Sequence, residues 1–451
     1  MPSADGAVAI CVDFGSTFTK ASLVDLTVGR IVASAEHPTT LPVGGHGDVL
    51  DGYDACLAAL VDADARAADA AVLACSSAGG GLRIAVIGNE ELVTAEAGRR
   101  VALSSGGKVV EVVAAADRAG LTTRPDVVLL TGGTDGGNSD VLLQAARDLV
   151  ASGWTGPVVV AGNVDAQAEA STILGEVPHV LAANVVPKIG VLAPAGARAA
   201  IREMFLAHVI GGKHLSSRAD FTAMVRGATP DIVLTGVALL ADGLDSEHPG
   251  AGDVVVVDVG GATTDVHSVV EVAPEDSGLS REVVATTPVT RTVEGDLGMR
   301  WSARTTVEAA GLDELADQAK RRAAETGFLP TTPEEERVDE AIARAAVGLA
   351  LRRHAGRSKV VVGPEGRVVE RSGKDLRDVD LLVGSGGVLR HGRAGVAQRV
   401  LAGSVGADIE GGWQLPERAR VVVDTSYVLA AVGLLAADHP IAAHRLALTL
   451  L

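Results

Sequence analysis

Aromatic residues are nearly absent: five Phe, three Trp and two Tyr in 451 residues. Any core must therefore be built from Val, Ala, Leu and Ile. At 47% apolar residues the chain has enough of these for two or three domains, without extended disorder. Cysteine is equally sparse. Cys11, Cys56 and Cys75 form no metal-type cluster, no iron–sulfur spacing and no disulfide framework. Cys11 falls in an expected buried strand, where a free thiol behaves as a small apolar group. Positive charge is in deficit, with 39 Lys and Arg against 57 Asp and Glu, a net charge of −18. Such a surface repels nucleic-acid backbones and anionic lipids, so neither partner is expected. A nucleotide is not excluded, because local backbone dipoles and Mg²⁺ decide that contact. No charge-free apolar run reaches the ~18 residues of a membrane helix. The nearest, Val421 to Ala437, is interrupted by Asp424. The first residues lack the basic region and uninterrupted apolar stretch of a signal peptide. The expected location is a reducing cytoplasm.

Glycine, by contrast, is abundant at 54 residues, many placed directly after apolar runs. That placing suits turns in which backbone approaches a ligand closely. Ala7 to Val12 and Ala21 to Val24 read as strands flanking a hydroxyl-rich turn. Strand and helix patterns then alternate to about residue 240. Val127 to Leu130 is an expected buried strand, followed by the loop Thr131 to Asn138 and a helix from Ser139 to Val150. Gly243, Pro249, Gly250 and Gly252 mark a domain boundary, giving domains 1–245 and 246–451. Val254 to Val257 and Val266 to Val270 form a second strand pair. Thr332, Pro333 and Glu335 open a capped helix running to about His354. Leu381 to Val383 is a strand entering Gly384-Ser385-Gly386-Gly387. Val421 to Val423 and Ser426 to Ala436 read as a last strand and helix.

The central signal is a repeat. Val12-Asp13-x-Gly15-Ser16-Thr17-x-Thr19-Lys20 aligns with Val257-Asp258-x-Gly260-Gly261-Ala262-Thr263-Thr264-Asp265. The two aspartates are 245 positions apart, a spacing suited to two homologous domains rather than a solenoid. Backbone N–H groups in such a turn can point at phosphate oxygens, and glycine permits the approach. Gly15, Ser16, Thr17 and Thr19 suit one side of a triphosphate; Gly260, Gly261, Ala262 and Thr263 suit the other, with Ala262 contributing backbone alone. Asp13 and Asp258 would repel bare phosphate but are favourable beside Mg²⁺, which they can hold through its waters. Lys20 can neutralise charge on the terminal phosphate. Positioning and electrostatics are the main requirements of phosphoryl transfer.

Together these segments resemble the two phosphate motifs of the actin–hexokinase–heat-shock ATPase superfamily. Leu382 to Gly387 is similar to its adenosine motif, with Gly384, Ser385, Gly386 and Gly387 packing against the nucleoside. The resemblance implies an α/β fold with two actin-like, ribonuclease H-like domains flanking a nucleotide cleft, and ATP or ADP with Mg²⁺ as ligands. A narrower resemblance rests on Leu129 to Gly137, Ile210 to Lys213 and Thr292 to Arg300, which look like the glutamate-mutase-associated MutL/GlmL family, unrelated to the mismatch-repair protein of similar name. It implies an accessory or reactivating ATPase for a cobalamin-dependent mutase.

Several residues keep two readings at this stage. The Thr131–Asn138 loop contacts phosphate or a partner, or caps the next helix; Asp135 orients water or caps. Glu294 and Asp296 lie near the nucleotide or are solvated. Lys213 and His214 mark a partner surface or are an exposed basic pair. Two other functions suit the superfamily: a small-molecule kinase, for which Asp135 or Asp296 is a candidate catalytic acid, and a filament-forming actin relative.

Overall fold

A computed structural model describes residues 7–42, 47–88, 94–114, 121–271, 287–363, 366–408 and 411–451. The chain divides into two compact units. The first runs to Gly236 and regains the chain at Ala430–Leu446; the second takes Val237 onward to Leu429, with Ala447–Leu451.

The first unit carries ten strands: β1 (Val8–Phe14), β2 (Phe18–Asp25), β3 (Arg30–Pro38), β4 (Ala71–Ser76), β5 (Leu82–Gly88), β6 (Gly107–Ala114), β7 (Val127–Leu130), β8 (Val158–Val160), β9 (His179–Leu181) and β10 (Val225–Ala228). They form two sheets. One has the order β10-β4-β1-β2-β3. In it β1, β2 and β3 are an antiparallel meander, while β4 and β10 run parallel to β1. The other, β6-β5-β7-β8-β9, is wholly parallel and is inserted between β4 and β10. After β5 the chain crosses to one side for β6 and returns to the other for β7. That reversal is a topological switch point.

The second unit adds a short hairpin, β11 (Gly243–Asp245) with β12 (His248–Pro249), then β13 (Val254–Val259), β14 (Thr264–Val269), β15 (Val289–Glu294), β16 (Arg357–Gly363), β17 (Gly366–Ser372), β18 (Leu381–Ser385) and β19 (Arg420–Val423). Its main sheet, β15-β14-β13-β18-β19, repeats the order and strand directions of the first unit's meander sheet. The internal repeat is therefore one of fold as well as motif. Both central strands are runs of buried β-branched and small residues, as a strand covered on both faces requires.

With so few aromatics, the cores are aliphatic. In the first unit a ring cluster sets Phe14 edge-on to Phe221 and Tyr53, with centroids 5.3 and 6.3 Å away. The second core packs Val255, Val257 and Val266 against the helix Pro333–His354. Thr332 and Glu335 close the expected capping box on that helix. The helix expected from Ser139 to Val150 runs Asp140–Ala151. Among the described residues no helix is long and apolar enough to cross a membrane.

Candidate functional site

The two repeated turns have the same backbone wiring. Gly15 N–H donates to Phe18 O at 3.1 Å, and Gly260 N–H donates to Thr263 O at 2.9 Å. These bonds pull the chain so tight that a Cβ on Gly15 would lie 2.6 Å from Phe18 O, and one on Gly260 2.9 Å from Thr263 O. Each turn is also braced from outside through its carbonyls. In the first, Thr39 donates its N–H to Thr17 O and its hydroxyl to Gly15 O. In the second, Met299 and Arg300 N–H bond Gly260 O and Gly261 O, and Ser302 Oγ donates to Ala262 O at 2.6 Å. With their carbonyls occupied, the N–H groups of Ser16 and Thr17, and of Gly261, Ala262 and Thr263, make no hydrogen bond among the described residues. Each turn is an outward set of amide donors, the arrangement that binds anions.

An aspartate stands at the end of the strand before each turn. Asp13 is buried on β1, with Lys20 opposite on β2 and Cys75 alongside on β4. Its Oδ1 accepts from Thr229 Oγ1 at 2.6 Å and from Cys75 Sγ at 3.6 Å. Burial, and then the Asp13 charge, push the Cys75 thiol well above its ordinary value, so it stays protonated and donates. Among the described residues Asp13 Oδ2 makes no hydrogen bond, and it lies 3.8 Å from the position a Gly15 Cβ would take. Asp258 occupies the matching place on β13, between Asp265 on β14 and Ser385 on β18. Asp265 is neutralised by the buried Arg291 of β15 and accepts Thr263 Oγ1.

The adenosine-like segment is joined to the second turn by this sheet. Gly384 and Ser385 belong to β18, so the turn proper begins at Gly386, with Gly387 opening a helix. Gly384 is glycine for packing, since a Cβ would meet Leu401 and Leu389 side chains at 2.6 and 2.9 Å. Gly386 has φ of +107°, and a Cβ there would come 2.3 Å from Val259 O.

Other sequence candidates fall elsewhere. Thr19 is fully buried on β2, its hydroxyl without a partner among the described residues. Asp135 lies after β7, at the C-terminal end of the inserted sheet. Its Oδ1 accepts from Asn184 Nδ2 and Val164 N–H, which stitches the loop together. Asn163 and Gln167 bind neighbouring loop carbonyls in the same way. Glu294 and Asp296 are both clasped by Arg353, whose hydrogen bonds hold the Asp296 carboxyl below its ordinary range. Lys213 is not an exposed base: its ammonium reaches Gly79 O and Asp126. His214 is exposed, with φ of +49°. Cys11, Cys56 and Cys75 are all buried and free, Cys11 pushed up to about 12 by burial. Among the described residues no group of three or more His, Cys, Asp or Glu could hold a metal unaided. One carboxylate per turn instead suits a hydrated cation held through its waters.

Sequence reasoning missed Thr229, Thr39 and Ser302. Thr39 lies in a Thr-Thr pair after Pro38 and carries no local signature, whereas Ser302 stands at the N-cap of the helix Ala303–Ala310. Thr229 did carry one: a Thr before Pro230 and Asp231 is a helix-start pattern.

The profile of the family described as "MutL protein" matches residues 9–451. The Protein MutL of Clostridium tetanomorphum is 36% identical over 462 residues, covering 97% of each chain. Among solved structures, a nucleotide-free acetone carboxylase aligns with a TM-score of 0.42 and 16% identity, over 96% of this chain and 70% of that one. The ethanolamine utilization protein EutJ of Carboxydothermus hydrogenoformans aligns at 0.29 and 12%, over 98% and 91%. The sequence match spans both repeated turns, the inserted sheet and the adenosine-like segment, and on it this chain belongs to the MutL protein family.

Proposed function

We propose that this chain is a cytoplasmic Mg-ATP-binding accessory protein that reactivates a cobalamin-dependent mutase, glutamate (methylaspartate) mutase, by nucleotide-driven domain closure with slow ATP turnover. The observation that carries the nucleotide assignment is the paired turns: amide donors left open, carbonyls occupied, and one aspartate behind each. The mutase assignment is supported by membership of the MutL family. In this reading each turn is a phosphate-binding element for ATP. The amides from Ser16 to Thr17 and from Gly261 to Thr263 bind phosphate oxygens, and Gly386 and Gly387 approach the nucleoside. Asp13 and Asp258 hold the hydrated Mg²⁺, which supplies charge neutralisation when bound. Lys20 adds a cation on the first side. Asp135, whose Oδ1 is held by Asn184 and Val164 N–H at the end of the inserted sheet, remains the candidate for orienting water.

Closure requires that ATP bind the open and closed forms unequally. Its useful work is exchange of a damaged cobalamin. The test is recovery of glutamate mutase inactivated by turnover, on adding this chain, Mg-ATP and fresh adenosylcobalamin. Recovery that needs both chain and ATP supports the reading. Recovery no greater than the ATP-free control, or ATP turnover that instead rises with one metabolite and leaves it phosphorylated, overturns it. Limited proteolysis gives a second readout: Mg-ATP slows digestion if closure occurs.

A further inference from the structure

Thr229 is the first residue of the helix Thr229–Asp242, directly after β10, and reaches across β4 to the carboxylate of β1. Its hydroxyl is buried and 2.6 Å from Asp13 Oδ1. Pro230 follows it. Then comes Asp231, only 1% exposed, bound by Arg202 Nε at 2.6 Å and Arg198 Nη2 at 3.1 Å. The hydroxyl is thus set by a helix start that is pinned two residues later by a buried aspartate bound to two partly exposed arginines. Cys75 supplies a weaker donor to the same oxygen at 3.6 Å. Among the described residues both donors meet Oδ1, and Oδ2 lies toward the turn without one.

We infer that Thr229 is a positioning residue for the nucleotide site: its hydrogen bond fixes the rotation of the Asp13 carboxylate so that Oδ2 alone meets the water shell of the nucleotide's magnesium. The inference rests on the Mg-ATP reading above. An Asp free to rotate about its last torsion presents either oxygen, and binding then costs the entropy of fixing it. A donor that holds the far oxygen removes that cost. Partners of this kind behind a metal ligand commonly change metal affinity 10–100-fold when lost.

The test uses the full chain and measures the Mg²⁺ concentration that half-restores ATP binding, with ATP in EDTA as the metal-free reference. Thr229→Val keeps the shape and removes the donor. It is expected to raise the Mg²⁺ requirement about tenfold while metal-free ATP binding stays as in the wild type. Thr229→Ser, which keeps the hydroxyl, is expected to match the wild type. Scanning calorimetry reports folding, and Thr229→Ala replaces the valine variant if that one does not fold. An unchanged Mg²⁺ requirement in the valine or alanine variant overturns the inference and leaves the Mg-ATP reading standing. Equal loss of metal-free and metal-dependent binding also overturns it, because the residue then supports only the fold. A wild-type chain whose ATP binding ignores Mg²⁺ overturns the underlying reading and the inference with it.

Discussion

The two turns share a backbone and differ in the charges around it. The first sets Asp13 beside Lys20 and Cys75, so an acid and a base face each other across β1 and β2. The second sets Asp258 beside Asp265 and Ser385, so two acids are paired and the compensating Arg291 comes from the next strand. The braces differ too. Among the described residues Thr39 serves the first turn, whereas Met299, Arg300 and Ser302 serve the second. What repeats is the set of amide donors; what has diverged is how each unit balances the carboxylate behind them. Under the Mg-ATP reading proposed above, the first unit adds the Lys20 cation beside its turn, while in the second Arg291 is engaged by Asp265.

The largest expected effect breaks what the turns share. A double Asp13→Asn, Asp258→Asn variant should lose the Mg²⁺-dependent part of ATP binding, by about a hundredfold in calorimetric titration, while melting near the wild-type temperature. Unchanged affinity there would remove both aspartates from the site. The charge contrast is sharpened by Arg291→Met against Lys20→Met. Losing Arg291 leaves Asp265 without its ion-pair partner in a mostly buried place and should cost about 3 kcal/mol in denaturant unfolding. Losing Lys20 should cost about 1 kcal/mol or less and instead weaken ATP binding. Equal stability losses would erase that contrast.

Smaller effects grade the turns themselves. Gly15→Ala places a methyl 2.6 Å from a backbone oxygen and Gly260→Ala one at 2.9 Å, so both should destabilise and the first more. About 2 against about 1 kcal/mol is expected from calorimetric melting, with ATP binding weakened in each. The reverse order would mean that the second turn is the less able to yield. Smallest of all, Thr39→Val and Ser302→Ala each remove one donated hydrogen bond and should cost about 1 kcal/mol. Thr39→Val should still weaken ATP binding more, since Ser302 has backbone neighbours that share its task. No difference between them would show that bracing is equally redundant on both sides.

The strands and the repeat were legible because valine runs ending in Asp-x-Gly leave little choice of local structure. The helix Pro333–His354 was legible from its cap. Sheet order was less so. Nothing in β3 or β15 announces the third strand of each meander: β3 alternates half-buried and exposed residues, and β15 is mostly half-buried. The reversal of the inserted sheet at β5 depends on crossover direction, which no residue spells out. Hydrogen-bond partners far apart in sequence, such as Asp13 with Thr229, were invisible for the same reason. Thr263 with Asp265 lies within the motif, two residues apart, and the sequence reading did not draw it either.

The return of Ala430–Leu446 to the first unit has a consequence for how the chain is made. Ala431 O takes the Cys11 thiol, Arg445 reaches Thr27 O, and Gly433 and Gly29 sit where any side chain would strike Ile232 O or Arg445. A ribosome delivers those residues only after all of the second unit but its last five residues has been synthesised. The earliest strands therefore wait, partly uncovered, for a cover synthesised more than 400 residues later. Folding cannot finish in the order of synthesis, and a fragment that stops at the inter-unit boundary keeps that face open to water.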